Sequence, residues 1–175
     1  MKTRKALSND EVLNVLTEAA PQMIQRLRKN IDDMSDAAVR NGFPDPRSNP
    51  GERNRTNSQY WELIVFDALR EVFDDVFHDG KSGKMDITVL KANDEPLFVE
   101  CKLISKIQDT GKTSAENRLV CHLFCVVSPD LRTGEVSWLV LKENDYQPTQ
   151  HAKAYILAHA KARRTVIYTW NDDER

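Results

Sequence analysis

The apolar residues of this chain change their spacing near residue 74. Before this point they recur at helical intervals, over residues 8–41 and 60–73. After it they form short β-type runs separated by turn-forming residues, at 75–78, 85–90, 97–104, 119–127, 136–141 and 165–170. One further helix is predicted between the last two runs, over residues 148–164. This order predicts an α/β fold in which helices flank a mixed sheet.

The first 42 residues are predicted to form an N-terminal helical extension. Ser8 and Glu11 make a capping box, which satisfies free backbone N–H groups at the start of a helix. Pro21 is expected to begin a second helix or to kink the first, because its ring removes an internal hydrogen bond. We therefore predict a helical pair over 8–41 that ends at Asn41-Gly42.

Residues 43–59 contain three prolines and Gly51 among mostly polar residues. This composition is typical of a linker or an ordered loop. The main domain is then expected to cover residues 60–175, as one unit with one active site.

Composition narrows the class of protein. No apolar run is long enough to span a bilayer and no signal-like segment opens the chain, so we expect a soluble, cytoplasmic protein. The three cysteines are an odd number and contain no CxxC pair, which favours reduced core thiols over disulfides or a structural zinc site. The formal net charge of −2 argues against nucleic-acid binding through bulk positive charge alone.

Charged residues interrupt two of the predicted strands. Glu100 and Lys102 share one face of the 97–104 strand because side chains alternate. If this strand forms a hairpin with 85–90 through Asn93-Asp94, any register whose paired residue numbers sum to an even value brings Asp86 to the same side. A slip of one residue would separate them.

Two carboxylates and one ammonium would then converge on a mostly apolar sheet. Without a counter-charge the carboxylates would repel and one would be driven to protonate. Mg²⁺ removes this difficulty, since it takes one or two carboxylates together with waters and phosphate oxygens, and Mn²⁺ is expected to substitute. Lys102 would orient or deprotonate an attacking water, its pKa lowered by the adjacent cation, which indicates phosphodiester hydrolysis. The alternative is a structural ion cluster.

Glu62 is the unusual residue of the helix predicted from Tyr60. Phe66, Leu69 and Phe73 follow it at helical spacing, so its carboxylate points toward or beside the buried face and needs a partner. An edge position in the first turn, favoured by the helix dipole, is an equally good interpretation.

Together these residues resemble the PD-(D/E)XK, or restriction-endonuclease-like, nuclease superfamily. The matching pattern is the helical Glu62, Asp86 at the start of the second strand, and Glu100-Cys101-Lys102 on the third, over roughly residues 59–127. Met85 stands where the family has its namesake proline, and residues 105–117 are polar where the family has its second helix.

The resemblance implies the family's core of a helix, an antiparallel three-stranded meander, a further helix and a strand. It also implies that Asp86 and Glu100 bind the metal, with the backbone carbonyl of Cys101 as a further ligand. Lys102 would then handle the water, and Glu62 would support the metal or its water shell.

A chain of this size without a helicase or nucleotide motif resembles most a Type II restriction endonuclease, acting on double-stranded DNA as a homodimer. A structure-selective nuclease for junctions or repair, or a non-catalytic DNA-binding protein of this fold, are the alternatives. No nucleotide cofactor is expected, because the first glycine of a phosphate-binding loop would fall at Lys106. The four histidines share no metal-ligand spacing, so none is predicted to be catalytic. Candidate DNA contacts, which fit a solvated surface nearly as well, are Lys84, Lys106, Lys112, Thr113, Asn117, Arg118, Arg53 and Arg55.

Overall fold

The computed structural model describes residues 4–6, 8–43, 45, 50–78, 86–104, 120–128, 131–141 and 164–172. These ranges contain two helices and six strands. They are α1 (Asn9–Arg40), α2 (Pro50–Arg70), β1 (Val76–His78), β2 (Ile87–Leu90), β3 (Pro96–Ile104), β4 (Val120–Val127), β5 (Thr133–Leu141) and β6 (Thr165–Asn171). All six predicted strands are confirmed.

The strands form a single sheet in the order β1 to β6. β3 and β4 are parallel, and every other neighbouring pair is antiparallel. The mixed sheet and its two helices confirm the α/β class. Residues 105–119, which connect the parallel strands, lie outside the described residues, as do residues 148–163 of the helix predicted near the C-terminus.

α1 is one continuous helix, so the predicted helical pair is wrong. Pro21 lies inside it on the exposed side. The helix continues because its buried stripe passes the proline in phase, and burial of that stripe outweighs the lost hydrogen bond. The stripe consists of Val12, Leu16, Ala20, Met23, Leu27 and Ile31. The predicted start is confirmed, since the Ser8 hydroxyl accepts a hydrogen bond from the Glu11 N–H at 3.2 Å.

The predicted linker is wrong from Pro50 onward, where α2 begins ten residues before the helix expected at Tyr60. A proline is compatible with the first turn of a helix, because its missing N–H has no partner there in any case. α1 is also no appended extension, since its buried residues belong to the same core as α2 and the sheet. Neither described helix contains an apolar stretch suited to crossing a membrane.

The two faces of the sheet differ in chemistry. The helix face, which carries Val99, Cys101, Leu123 and Trp138, packs against α1 and α2 in the core. The charged face carries Glu100, Lys102, His122 and Phe124. All three cysteines are free and buried, as predicted, and burial raises the pKa of each thiol.

Replacing Pro21 with alanine is expected to stabilise the protein. A proline inside a helix costs about 3 kcal/mol relative to alanine, of which the greater freedom of the unfolded alanine chain returns a part. We expect the free energy of unfolding to rise by about 1–2 kcal/mol in urea denaturation. Gln25→Ala, at another exposed position of α1, is the control and should change stability by a few tenths of that. An unchanged or lower stability of Pro21→Ala would show that the proline is accommodated without cost.

Candidate active site

The register of the β2–β3 hairpin brings the predicted acidic residues together. Ile87 pairs with Val99 and Thr88 with Phe98, so Asp86, just before β2, is level with Glu100. Asp94 sets this register, because its φ of 61° closes a three-residue loop in which its N–H donates to the Lys91 carbonyl at 2.9 Å. The predicted even register is confirmed.

Asp86 is fixed by the backbone of the next strand. The Cys101 N–H donates to Asp86 Oδ2 at 2.7 Å. β2 begins only at Ile87, so the aspartate side chain replaces a backbone carbonyl as the acceptor. The N–H and C=O of a strand residue point toward the same neighbour. The Cys101 carbonyl therefore also points to the Asp86 side, as expected of a further oxygen ligand.

The pKa of Asp86 reflects an excess of negative charge around it. Burial raises it most, followed by the charges of Glu100 and Glu62, while Lys102 and the Cys101 N–H lower it. The net result is a pKa of about 7, against an ordinary 3.8. Three carboxylates thus lie in one poorly solvated region, and the single ammonium of Lys102 does not balance their negative charge. This donor set fits a divalent cation.

Lys102 partly supplies that charge in the protein alone. Its Nζ donates to Glu100 Oε1. Burial lowers the pKa of Lys102, but the attraction and hydrogen bond of Glu100, with the charge of Asp86, outweigh burial and raise it. This shift is opposite to the one expected beside a bound cation. Lys102 is therefore an ammonium as long as Glu100 holds it.

Within the described ranges, no three or more His, Cys, Asp and Glu side chains are arranged to hold a metal ion. The geometry gives a reason. Lys102 engages Glu100, and the Cys101 N–H engages Asp86, so each carboxylate already has a partner. Binding of a cation would require Glu100 to exchange its ammonium partner for the ion.

Glu62 joins this group from α2. It lies well inside the helix, which begins at Pro50, so the first-turn interpretation is wrong. Its Oε2 is 3.5 Å from Nε2 of His78, and its charge raises the pKa of Asp86. The carboxylate therefore has a partner at the end of β1, the strand that pairs with β2.

Two histidines that the sequence did not single out border the site. His78 ends β1 and pairs with Ile87, next to Asp86. His122 pairs with Glu100 across the parallel β3–β4 boundary and stacks on Phe124, with ring centroids 5.7 Å apart. Burial, and then Lys102, lower the pKa of His122 to about 3, so it is neutral. Only strand pairing reveals either position, because neither histidine has a metal-ligand spacing in the sequence.

Six of the eight predicted DNA contacts lie outside the described residues: Lys84, Lys106, Lys112, Thr113, Asn117 and Arg118. Arg53 and Arg55 belong to α2 rather than to a linker.

No protein-family model matches the chain, and neither does any curated protein or solved structure. The functional interpretation therefore depends on the residues of the site itself.

Asp86→Asn is expected to stabilise the metal-free protein at neutral and alkaline pH. With a pKa of about 7 in the folded state and 3.8 in the unfolded state, Asp86 costs stability progressively as the pH rises from 4 to 7, and fully above 7. Asparagine keeps an oxygen acceptor for the Cys101 N–H but carries no charge. We expect a gain of roughly 2–4 kcal/mol at pH 8 that fades toward pH 4, measured by urea denaturation in EDTA.

The control is Asp94→Asn, which removes a carboxylate from the exposed loop of the same hairpin. Its effect should be small and should lack this dependence on pH. An Asp86→Asn variant with the same stability relative to wild type at pH 5 and pH 8 would contradict the assignment of the raised pKa.

Proposed function

We propose that this chain is a Mg²⁺-dependent deoxyribonuclease of the restriction-endonuclease-like class, most similar to a Type II restriction endonuclease. The observation that carries the proposal is the convergence of Asp86, Glu100 and Lys102 beside the β2–β3 hairpin, with Glu62 approaching from α2. The residues that suggested the nuclease motif by their spacing in the sequence thus also lie together in the fold.

The order of elements supports the same class. α2 precedes an antiparallel meander of β1, β2 and β3, and β4 then pairs with β3. The resemblance implies a helix, a meander, a further helix and a strand. The described elements follow this order, and the connection in which the further helix is expected lies outside the described residues. Asp86 directly precedes the second strand of the meander and Glu100 lies on the third, as in the family pattern.

Each residue of the site has a role suited to hydrolysis. Asp86 and Glu100, with the Cys101 carbonyl, would hold Mg²⁺. When bound, the cation supplies a Lewis acid for the scissile phosphate and lowers the pKa of a coordinated water. Glu62 would accept a hydrogen bond from a water of that shell, because its charge acts on Asp86 from α2.

With the cation held by Asp86 and Glu100, Lys102 would be the residue that meets the water. Its Nζ, released from the carboxylate, would donate to the attacking water or to a phosphate oxygen and stabilise the charge that develops there. Loss of the Glu100 contact also removes the main influence that raises the pKa of Lys102. Once its ammonium proton has passed to bulk water, the neutral amine would accept a proton from the attacking water.

The proposed substrate is double-stranded DNA, and the proposed assembly is a homodimer, since cleavage of both strands at one site needs two such centres. A structure-selective nuclease would use the same residues. Incubation with a defined plasmid and with a four-way junction separates these activities. Discrete plasmid fragments support restriction, and cleavage of the junction alone supports resolution or repair.

Lys102→Met, Asp86→Asn and Glu100→Gln are each expected to slow Mg²⁺-dependent cleavage at least ~100-fold, the size of effect typical for loss of a positioned catalytic group. The measurement is single-turnover cleavage of the substrate that wild type cuts, with EDTA as the metal-free reference. Lys91→Met is the matched control, because this lysine pairs with Glu95 at the other end of the hairpin. Wild-type rates in all three site variants, or no metal-dependent cleavage of either substrate by wild type, would overturn the proposed function.

A further inference from the structure

Strand pairing brings a histidine to the site from outside the predicted motif. His78 is the last residue of β1, and its partner Ile87 is the neighbour of Asp86. The antiparallel β1–β2 register thereby places His78 between the hairpin and α2. Its Nε2 lies 3.5 Å from Glu62 Oε2.

The imidazole ring is held from a second direction. Phe66 packs against it with ring centroids 5.6 Å apart and planes tilted by 49°. The Arg70 guanidinium in turn lies 5.8 Å from the centroid of the Phe66 ring. Glu62, Phe66 and Arg70 are successive i, i+4 neighbours on α2, so one helix stripe provides both the carboxylate and the packing that orients its partner.

The contact between His78 and Glu62 is largely shielded from water. The side chains of His78 and Glu62 retain only 24% and 22% of their exposure. A hydrogen bond at such a place is less exposed to competition from water than one on an open surface, and it restricts a glutamate that otherwise samples many rotamers. The charge of Glu62 reaches Asp86 from this position.

We propose that His78 is a positioning residue: its Nε2–H donates to Glu62 Oε2 and holds the glutamate toward the Asp86–Glu100 cation site. This inference rests on the proposed function and deepens it. The other oxygen of Glu62 then remains available to a water of the cation's shell. Partners one step removed from a metal typically change its affinity 10–100-fold when they are lost.

His78→Phe is the informative variant, because it retains an aromatic ring against Phe66 and removes the donor. We expect the Mn²⁺ concentration for half-maximal cleavage to rise about 10-fold, with a smaller change in the rate at saturating Mn²⁺. A Mn²⁺ titration followed by electron paramagnetic resonance, without DNA, should show the same loss of affinity. His78→Gln, which restores an N–H donor, should recover most of it.

A double-mutant cycle with Glu62→Gln tests whether His78 acts through the glutamate. We expect His78→Phe to have no further effect on Mn²⁺ affinity in the Glu62→Gln background. An equal effect in both backgrounds, an unchanged affinity in His78→Phe, or a His78→Gln variant as weak as His78→Phe would overturn the inference. Thermal unfolding of each variant shows whether it folds. If His78→Phe does not fold, the Mn²⁺ affinity of His78→Gln decides the role of His78: wild-type affinity supports it and a loss of about 10-fold overturns it.

The outcomes for the two proposals are distinct. If wild type binds Mn²⁺ and the cycle shows coupling but no DNA is cleaved, the nuclease function fails and the role of His78 stands. If wild type cleaves DNA and the cycle shows no coupling, the function stands and the role of His78 fails. Absence of Mn²⁺ binding by wild type overturns both.

Discussion

The hydrogen bond from the Cys101 N–H to Asp86 fixes the position of the aspartate in the candidate site. It forms only because the β2–β3 register sets Asp86 level with Glu100 and because β2 begins one residue later. A shift of one residue would turn the aspartate to the helix face, where the strands contribute Val99 and Cys101 to the core. The apolar residues that fix the register therefore also fix the positions of the charges.

The site is electrostatically unfavourable as long as the protein is alone. Asp86, Glu100 and Glu62 lie near one another in a partly buried region, and Lys102 offsets only part of their repulsion. Such a cluster costs folding free energy, which the continuous core of α1, α2 and the sheet must supply.

Sequence reasoning succeeded where local pattern determines structure. All six strands were predicted because each is a short apolar run between turn-forming residues, and Asp86, Glu100 and Lys102 were grouped because strand alternation is strictly periodic. It failed at Pro21, where a local rule met tertiary burial, and at Pro50, where a proline was interpreted as part of a linker. α1 continues through Pro21 because the buried stripe remains in phase, and α2 begins at Pro50 because proline is suited to a first turn. His78 and His122 were missed because their importance depends on which strands become neighbours, which periodicity alone does not reveal.

The partnership of Lys102 and Glu100 suggests an order of events. As long as Glu100 accepts a hydrogen bond from Nζ, the ion pair stabilises Lys102 as an ammonium, which cannot abstract a proton. Any ligand that draws Glu100 away both weakens this pair and leaves Nζ without its main acceptor. If that ligand is a divalent cation, its positive charge also shifts the pKa of the amine downward. Occupancy of the site by such a ligand would therefore free Nζ, which Glu100 otherwise holds. Lys102 is well placed for such an exchange, because it lies two residues from Glu100 on the same strand face and the two side chains are in contact.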